Sequence, residues 1–85
     1  MSYYVYILYS KKLNKFYVGQ SDNPQERLKS HLAGISGYTS VADDWEIRYT
    51  ETFENRTDAV KRENAIKKKK SRKYIEWLIS EKKGN

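Results

Sequence analysis

YYVYILYS (residues 3–10), KKLNK (11–15) and FYVG (16–19) decide the fold, because together they read as one antiparallel hairpin. The first stretch is rich in β-branched and aromatic residues with little polar alternation, the pattern of a strand covered on both faces. The polar KKLNK segment supplies a loop of about five residues before the second strand begins. Strand parity then puts Val5 and Ile7 on one face, and Tyr4, Tyr6 and Leu8 on the other. In the second strand Phe16 and Val18 oppose Tyr17 in the same way. The economical arrangement turns Val5, Ile7, Phe16 and Val18 towards a core and leaves Tyr6 and Tyr17 on a common second face.

Outward from the hairpin, SDNPQERLKSHLAG carries helix punctuation. Asn23 suits a cap, Pro24 the first helical position, Glu26 a capping box and Gly34 the stop. Leu28 and Leu32 form an expected buried i, i+4 pair, with Arg27 and His31 on the adjacent face. After a loop, ISGYTSVADD, the segment WEIRYTETF alternates as a third strand. Trp45, Ile47, Tyr49 and Phe53 fall on one side of it, with Glu51 as the irregularity. A helix starting near Asn55 or Thr57 follows, and Ser71 interrupts the basic run to cap a last helix. There Ile75, Leu78 and Ile79 face inward, while Tyr74 and Trp77 line a flank. The order is β-β-α-β-α-α, an α+β domain with a small three-stranded antiparallel sheet flanked by helices.

Glu63 is the residue that asks for chemistry. Ala59, Val60 and Ile66 form a small-apolar stripe on a 3.6-residue period, and Glu63 falls in its middle. A carboxylate placed centrally needs a cation or a metal beside it. A salt bridge to Lys67 at i+4 is the plainer alternative, worth a few tenths of a kcal/mol.

With 85 residues the chain reads as one domain, 1–85, with a small core and no internal repeat. There are no cysteines, so neither disulfides nor thiolate metal ligands support it. No apolar run approaches a membrane span and the N-terminus lacks a signal-peptide pattern, so the expected setting is cytoplasmic. Seventeen basic and eleven acidic side chains leave a net charge of +6. The excess gathers at Lys67, Lys68, Lys69, Lys70, Arg72, Lys73, Lys82 and Lys83. Such a cluster favours a polyanion through counterion release, or simply keeps a helix solvated. Eight tyrosines tilt the balance towards a surface that meets nucleic acid.

Tyr6, Tyr17, Arg27, His31 and Glu63 need a joint explanation, and here the chain resembles a known family. The hairpin YVYIL … YVG looks like the signature of the GIY-YIG nucleases, with Tyr4-Val5-Tyr6 for GIY and Tyr17-Val18-Gly19 for YIG. Arg27, His31 and Glu63 continue the match in order. SGYTS, ENRTDAVKRENAIK and KSRKYIEWLI look like the small, single-domain bacterial branch, related to the nuclease domain of the excision-repair incision subunit. The similarity spans nearly the whole chain. It implies hydrolysis of a DNA phosphodiester with one divalent metal, Mg²⁺ or Mn²⁺, on Glu63.

In that scheme Arg27 clamps the non-bridging oxygens. Tyr6 comes first as the base that activates water, with Tyr17 as its positioning partner. The sequence does not separate the two. A phenol with a pKa of about 10 needs nearby positive charge for that work. His31 relays a proton or bonds a tyrosine or phosphate, and Gly19 lets backbone approach closely at the site edge. Lys67, Lys68, Lys70 and Arg72 contact phosphates, which position a substrate without reading its bases.

Three positions depart from the family pattern. Tyr4 stands for the first glycine, Gln20 where several relatives carry lysine, and Leu32 where relatives often have asparagine. The implied activity is structure-selective cutting of branched, flapped or single-stranded DNA in repair or processing, with RNA left open as a substrate. The alternatives are a nucleic-acid-binding module that cuts weakly or not at all, and a domain that needs a partner protein for targeting.

Overall fold

The computed structural model describes residues 2–33 and 42–83. Gly34 and the SGYTS stretch lie outside them. β1 (Tyr3–Ser10), β2 (Lys15–Ser21), α1 (Pro24–Leu32), β3 (Glu46–Phe53), α2 (Arg56–Lys69) and α3 (Arg72–Lys83) follow in the expected order. The sheet is antiparallel, with β1 in the centre and β2 and β3 at its edges. A central strand has no solvated face, which is why Val5, Tyr6, Ile7 and Leu8 are all buried.

Parity in the hairpin holds. Val5, Ile7 and Val18 meet Ala59 and Ile66 of α2 and Leu78 and Ile79 of α3, with Phe16 packed alongside. Fully burying a side chain such as Ile7 or Ile66 stabilises the fold by roughly 1.5–3 kcal/mol. On the other face Tyr6 and Leu8 gather Ala42 and Trp45, with Tyr17 and Leu28 against them. The hairpin turn runs from Lys11 to Asn14, one residue shorter than the expected loop, and Asn14 takes a left-handed φ of 53°. Asp44 braces this turn by accepting from Ser10 Oγ at 2.6 Å and from the Lys12 N–H at 2.8 Å.

β3 breaks the expected alternation. Ile7 pairs with Tyr49 but Leu8 pairs with Ile47, so Arg48 is the extra residue of a β-bulge. The bulge divides the supposed single face. Trp45 and Ile47 join the Tyr6 side, whereas Tyr49 and Phe53 join the helix side. Glu51 is then no irregularity. It shares the parity of Tyr49 and Phe53, accepts a hydrogen bond from the Tyr49 hydroxyl at 2.6 Å and another from Arg62 Nε at 3.1 Å. Arg62 also donates to the Tyr74 hydroxyl at 3.2 Å, joining β3, α2 and α3. Burial and the Glu51 carboxylate push the Tyr49 hydroxyl up to about 12.

The helix starts follow their capping residues. Asn23 Oδ1 accepts the Glu26 N–H at 3.2 Å, Asn55 Oδ1 the Asp58 N–H at 2.9 Å, and Ser71 Oγ the Tyr74 N–H at 3.1 Å. The capping box at Glu26 does not form. Ser21 Oγ takes the Asn23 N–H at 3.0 Å, and the Glu26 carboxylate pairs with Lys29 instead. The expected Leu28–Leu32 pair is also corrected: Leu32 is 39% exposed, Leu28 is partly buried, and the buried residue of α1 is His31. Lys70 ends α2 with φ of 48°, and α3 begins two residues later. No helix among the described residues is long and apolar enough to cross a membrane.

Candidate active site

Four elements deliver side chains to one place. Tyr6 comes from the central strand, Tyr17 and Gly19 from β2, Arg27 and His31 from α1, and Glu63 from α2. Tyr6 is 1% exposed because its cross-strand partner is Gly19. A Cβ on Gly19 would stand 2.5 Å from Tyr6 Oη and 2.6 Å from its Cζ. The room that the glycine leaves is thus filled by the protein's own ring. The close approach expected at Gly19 is made by the Tyr6 side chain.

The ring tip meets α1. Tyr6 Oη lies 3.2 Å from His31 Nε2, and Arg27 is near enough to favour the ionised form of the same hydroxyl. The Tyr17 ring sits 5.0 Å from the His31 ring and 6.5 Å from Tyr6, centroid to centroid. His31, expected on a face adjacent to the buried one, is instead fully buried. Burial pushes its pKa down, and the nearby Arg27 charge pushes it further the same way, so the ring is neutral at pH 7. In the Nδ1-protonated tautomer, Nε2 accepts the hydrogen bond of the Tyr6 hydroxyl.

α2 packs beneath the β2 edge, and two of its residues reach the tyrosine cluster. The Glu63 side chain is 16% exposed and accepts from Lys67 Nζ at 2.7 Å. The same ammonium stands 5.9 Å from the centre of the Tyr17 ring, close enough for cation–π attraction. The plainer reading of Glu63 as a partner of Lys67 therefore holds geometrically, within reach of the tyrosines. Burial raises the Tyr6 pKa above its ordinary value. The Arg27 guanidinium pulls it back, while Tyr17 and Glu63 push it up again. Tyr6 thus keeps its proton at neutral pH in this arrangement.

The donor set bears on a metal. Among the described residues no three His, Cys, Asp or Glu side chains cluster as a metal cage. A lone carboxylate suits Mg²⁺ or Mn²⁺, which fill their remaining positions with water and phosphate oxygens, and suits zinc poorly. Glu63 fits that description, with Lys67 as the cation an incoming ion must displace.

The structure brings Tyr6, Tyr17, Arg27, His31 and Glu63 together and adds Lys67 to them. Lys70 lines a groove beside Tyr17, together with Lys15. Lys68 lies apart, on the exposed side of α2 with Lys61 and Asn64. Arg72 lines the same groove as Lys70, but its guanidinium is already engaged, donating to the Asn14 carbonyl at 2.7 Å and to Asn14 Oδ1 at 2.5 Å. It ties α3 to the hairpin turn, a structural task the basic run did not announce. Lys15, which the sequence reading did not single out, lines the groove as well and shares the strand parity of Tyr17. Gln20 pairs with Val5 and so belongs to the opposite face from Tyr6 and Gly19.

The chain is similar to known proteins. Residues 2–75 match the family model of the GIY-YIG catalytic domain. A UPF0213 protein of Clostridium perfringens is 38% identical over 78 residues, which is 91% of this chain and 83% of that protein. One from Enterococcus faecalis is 35% identical over 80 residues, 91% of this chain and 90% of its own length. The solution NMR structure of a UPF0213 protein from Bacillus halodurans superposes with a TM-score of 0.57 at 31% identity, covering 94% of this chain and 84% of the other. Topology, tyrosine pair and relatives agree: the chain belongs to the GIY-YIG nuclease family, among the small UPF0213 proteins.

Proposed function

We propose that the protein is a metal-dependent endonuclease that hydrolyses DNA phosphodiester bonds, with a preference for branched, flapped or single-stranded substrates in DNA repair or processing. The observation that carries this reading is the convergence of two phenols, a guanidinium, a neutral imidazole and one shielded carboxylate from four separate elements. Arg27, exposed at its outer side, holds the non-bridging oxygens of the scissile phosphate. Water attacks phosphorus, the bond to the leaving oxygen breaks and that oxygen takes a proton from solvent, while the proton of the attacking water passes to Tyr6. Tyr6 takes that proton only once its own has been drawn off. Arg27 already favours the phenolate, and His31 Nε2 is placed to receive the proton. Tyr17, on the open side of the pair, positions the water. A divalent ion on Glu63, when bound, supplies the positive charge that the leaving oxygen needs.

A second reading, a nucleic-acid-binding module with little cleavage, is favoured by one observation: Lys67 sits where a cation on Glu63 would have to enter. One experiment separates the two. Labelled single-stranded, duplex, flap and branched DNAs, with matching RNAs, are incubated with the protein and Mg²⁺ or Mn²⁺, alongside Glu63→Ala and Tyr6→Phe. Cleavage that vanishes in Glu63→Ala while binding persists supports the enzyme. Equal traces of cutting in all three proteins support the binder.

A further inference from the structure

At the β2 edge a groove of about 440 Å³ opens beside the tyrosine cluster and shares Tyr17 and Lys67 with it. Phe16, Val18, Ile66 and Ile75 make its apolar floor. Its rim is cationic: Lys15, Lys67, Lys70 and Arg72, with no acidic side chain lining it among the described residues. We propose that this groove receives an unpaired nucleobase from the strand whose phosphate lies at the tyrosine cluster. The proposal rests on the nuclease reading and extends it to substrate choice.

Three observations support one occupant of this kind. A hydrocarbon floor under a ring of cations complements a flat apolar base attached to phosphates, the combination that single-strand grooves use. The volume lies in the range of small-ligand sites, and a base with its sugar fills such a space without needing a large cleft. Lys15 and Lys70 carry no side-chain ion pair among the described residues, so they are available to phosphates.

The floor is also preorganised. Phe16 is held between the Tyr9 ring at 4.9 Å and the Arg72 guanidinium at 5.1 Å. Past Arg72 a second depression of about 620 Å³ shares Phe16 and Arg72 and adds Lys11 and Arg48, with Glu76 as its one acidic lining residue. A base stacked and paired in a duplex cannot offer its face to such a floor, so the groove selects unpaired strands.

The test measures binding of the full chain without divalent metal, by fluorescence anisotropy. Three probes are compared: a short oligothymidylate, a base-free oligomer of the same length and charge, and a duplex. Wild type should bind the oligothymidylate about tenfold more tightly than the base-free strand, the size expected for one stacked base. Ile75→Trp, which fills the groove, should erase that preference. Lys15→Ala, at an exposed position, should weaken both strands by a similar factor and leave the preference intact.

Equal binding of the two strands by wild type, or a preference that survives Ile75→Trp, overturns the proposal. The wild-type comparison decides even if the tryptophan variant does not fold. A protein that prefers bases but never cuts would sink the nuclease reading and keep the groove. One that cuts yet ignores bases would do the reverse.

Discussion

Gly19→Ala isolates the contact on which the site is built. The backbone of Gly19 is outside the left-handed region, so alanine suffers no conformational penalty there. In an accommodating place the change would add about 0.4–1 kcal/mol by restricting the unfolded chain. Here the new methyl would meet Tyr6 Oη at 2.5 Å and Cζ at 2.6 Å, against a comfortable carbon contact of about 3.5–4.0 Å. The ring must therefore move by about 1 Å, and it is fully buried with its hydroxyl held at His31. Overpacking of this kind costs about 1–3 kcal/mol, which outweighs the entropic gain. In a domain of this size the melting temperature should fall by roughly 5–15 °C.

The assay is thermal unfolding by circular dichroism without nucleic acid, with the His31 imidazole followed by NMR. Adding Tyr6→Phe to the variant should rescue little, since Cζ and Cε2 remain within 3.1 Å of the methyl. A Gly19→Ala protein that melts with wild type and leaves the His31 signals unmoved would refute the account of why glycine is there.

Lys67→Met removes the ammonium from Glu63 while keeping its hydrocarbon stem. Half-maximal cleavage should then need several-fold less Mg²⁺, and an unchanged or higher requirement in a metal titration would show that Lys67 does not compete for that carboxylate. His31 has a lowered pKa, so the unfolded chain takes up its proton first as the solution is acidified. Its contribution is complete above about pH 6.5 and is lost as pH falls through the folded-state value. Melting curves between pH 5 and 8 should show this loss, smaller in His31→Gln. Tyr49 works in the opposite direction. Its raised pKa gives stability that is full below about pH 10 and fades as pH climbs towards about 12, visible as late tyrosinate absorbance in the folded protein. Arg72→Ala unties α3 from the hairpin turn. Its half-exposed guanidinium makes two hydrogen bonds to Asn14, so a loss of about 1 kcal/mol is expected, read by denaturant melts. No change in midpoint would return Arg72 to the role of a plain surface cation.

The hairpin was legible because strand parity has a period of two and β1 carries aromatics and branched residues on both faces. Once Val5 and Ile7 are turned inward, Tyr6 and Tyr17 have nowhere to go but the second face. The caps at Asn23, Asn55 and Ser71 were legible for a similar local reason. β3 was not, because a bulge inserts one residue and inverts every side chain beyond it. Nothing in WEIRYTETF marks Arg48 as that residue; its place follows from pairing with Leu8 and from its seat over Tyr9. His31 was misplaced because leucine outranks histidine in any reading of apolar periodicity. One buried and one partly buried hydroxyl-bearing ring offer a histidine hydrogen bonding and ring contacts that Leu32 could not use. The basic run concealed its divisions most completely. Lys67 faces a carboxylate, Lys70 turns the chain with positive φ, and Arg72 grips a turn on the far side of the sheet's edge.

These placements make the candidate site also the second core of the protein, which decides how substitutions in it should be read. Tyr6 packs with Leu8 and Trp45 as well as bonding His31, so Tyr6→Ala opens a cavity costing about 3–5 kcal/mol. A domain this small commands only about 5–15 kcal/mol in total, and α1 rests on that same cluster through Leu28. Loss of activity in Tyr6→Ala would therefore say nothing about chemistry. Tyr6→Phe keeps the ring and gives up one hydroxyl, about 1 kcal/mol, leaving α1 docked. If Tyr6→Phe melts within a few degrees of wild type yet no longer cuts, the hydroxyl acts on the substrate's bond. If cutting survives, the phenol at position 6 holds the fold together, and water must be activated at Tyr17.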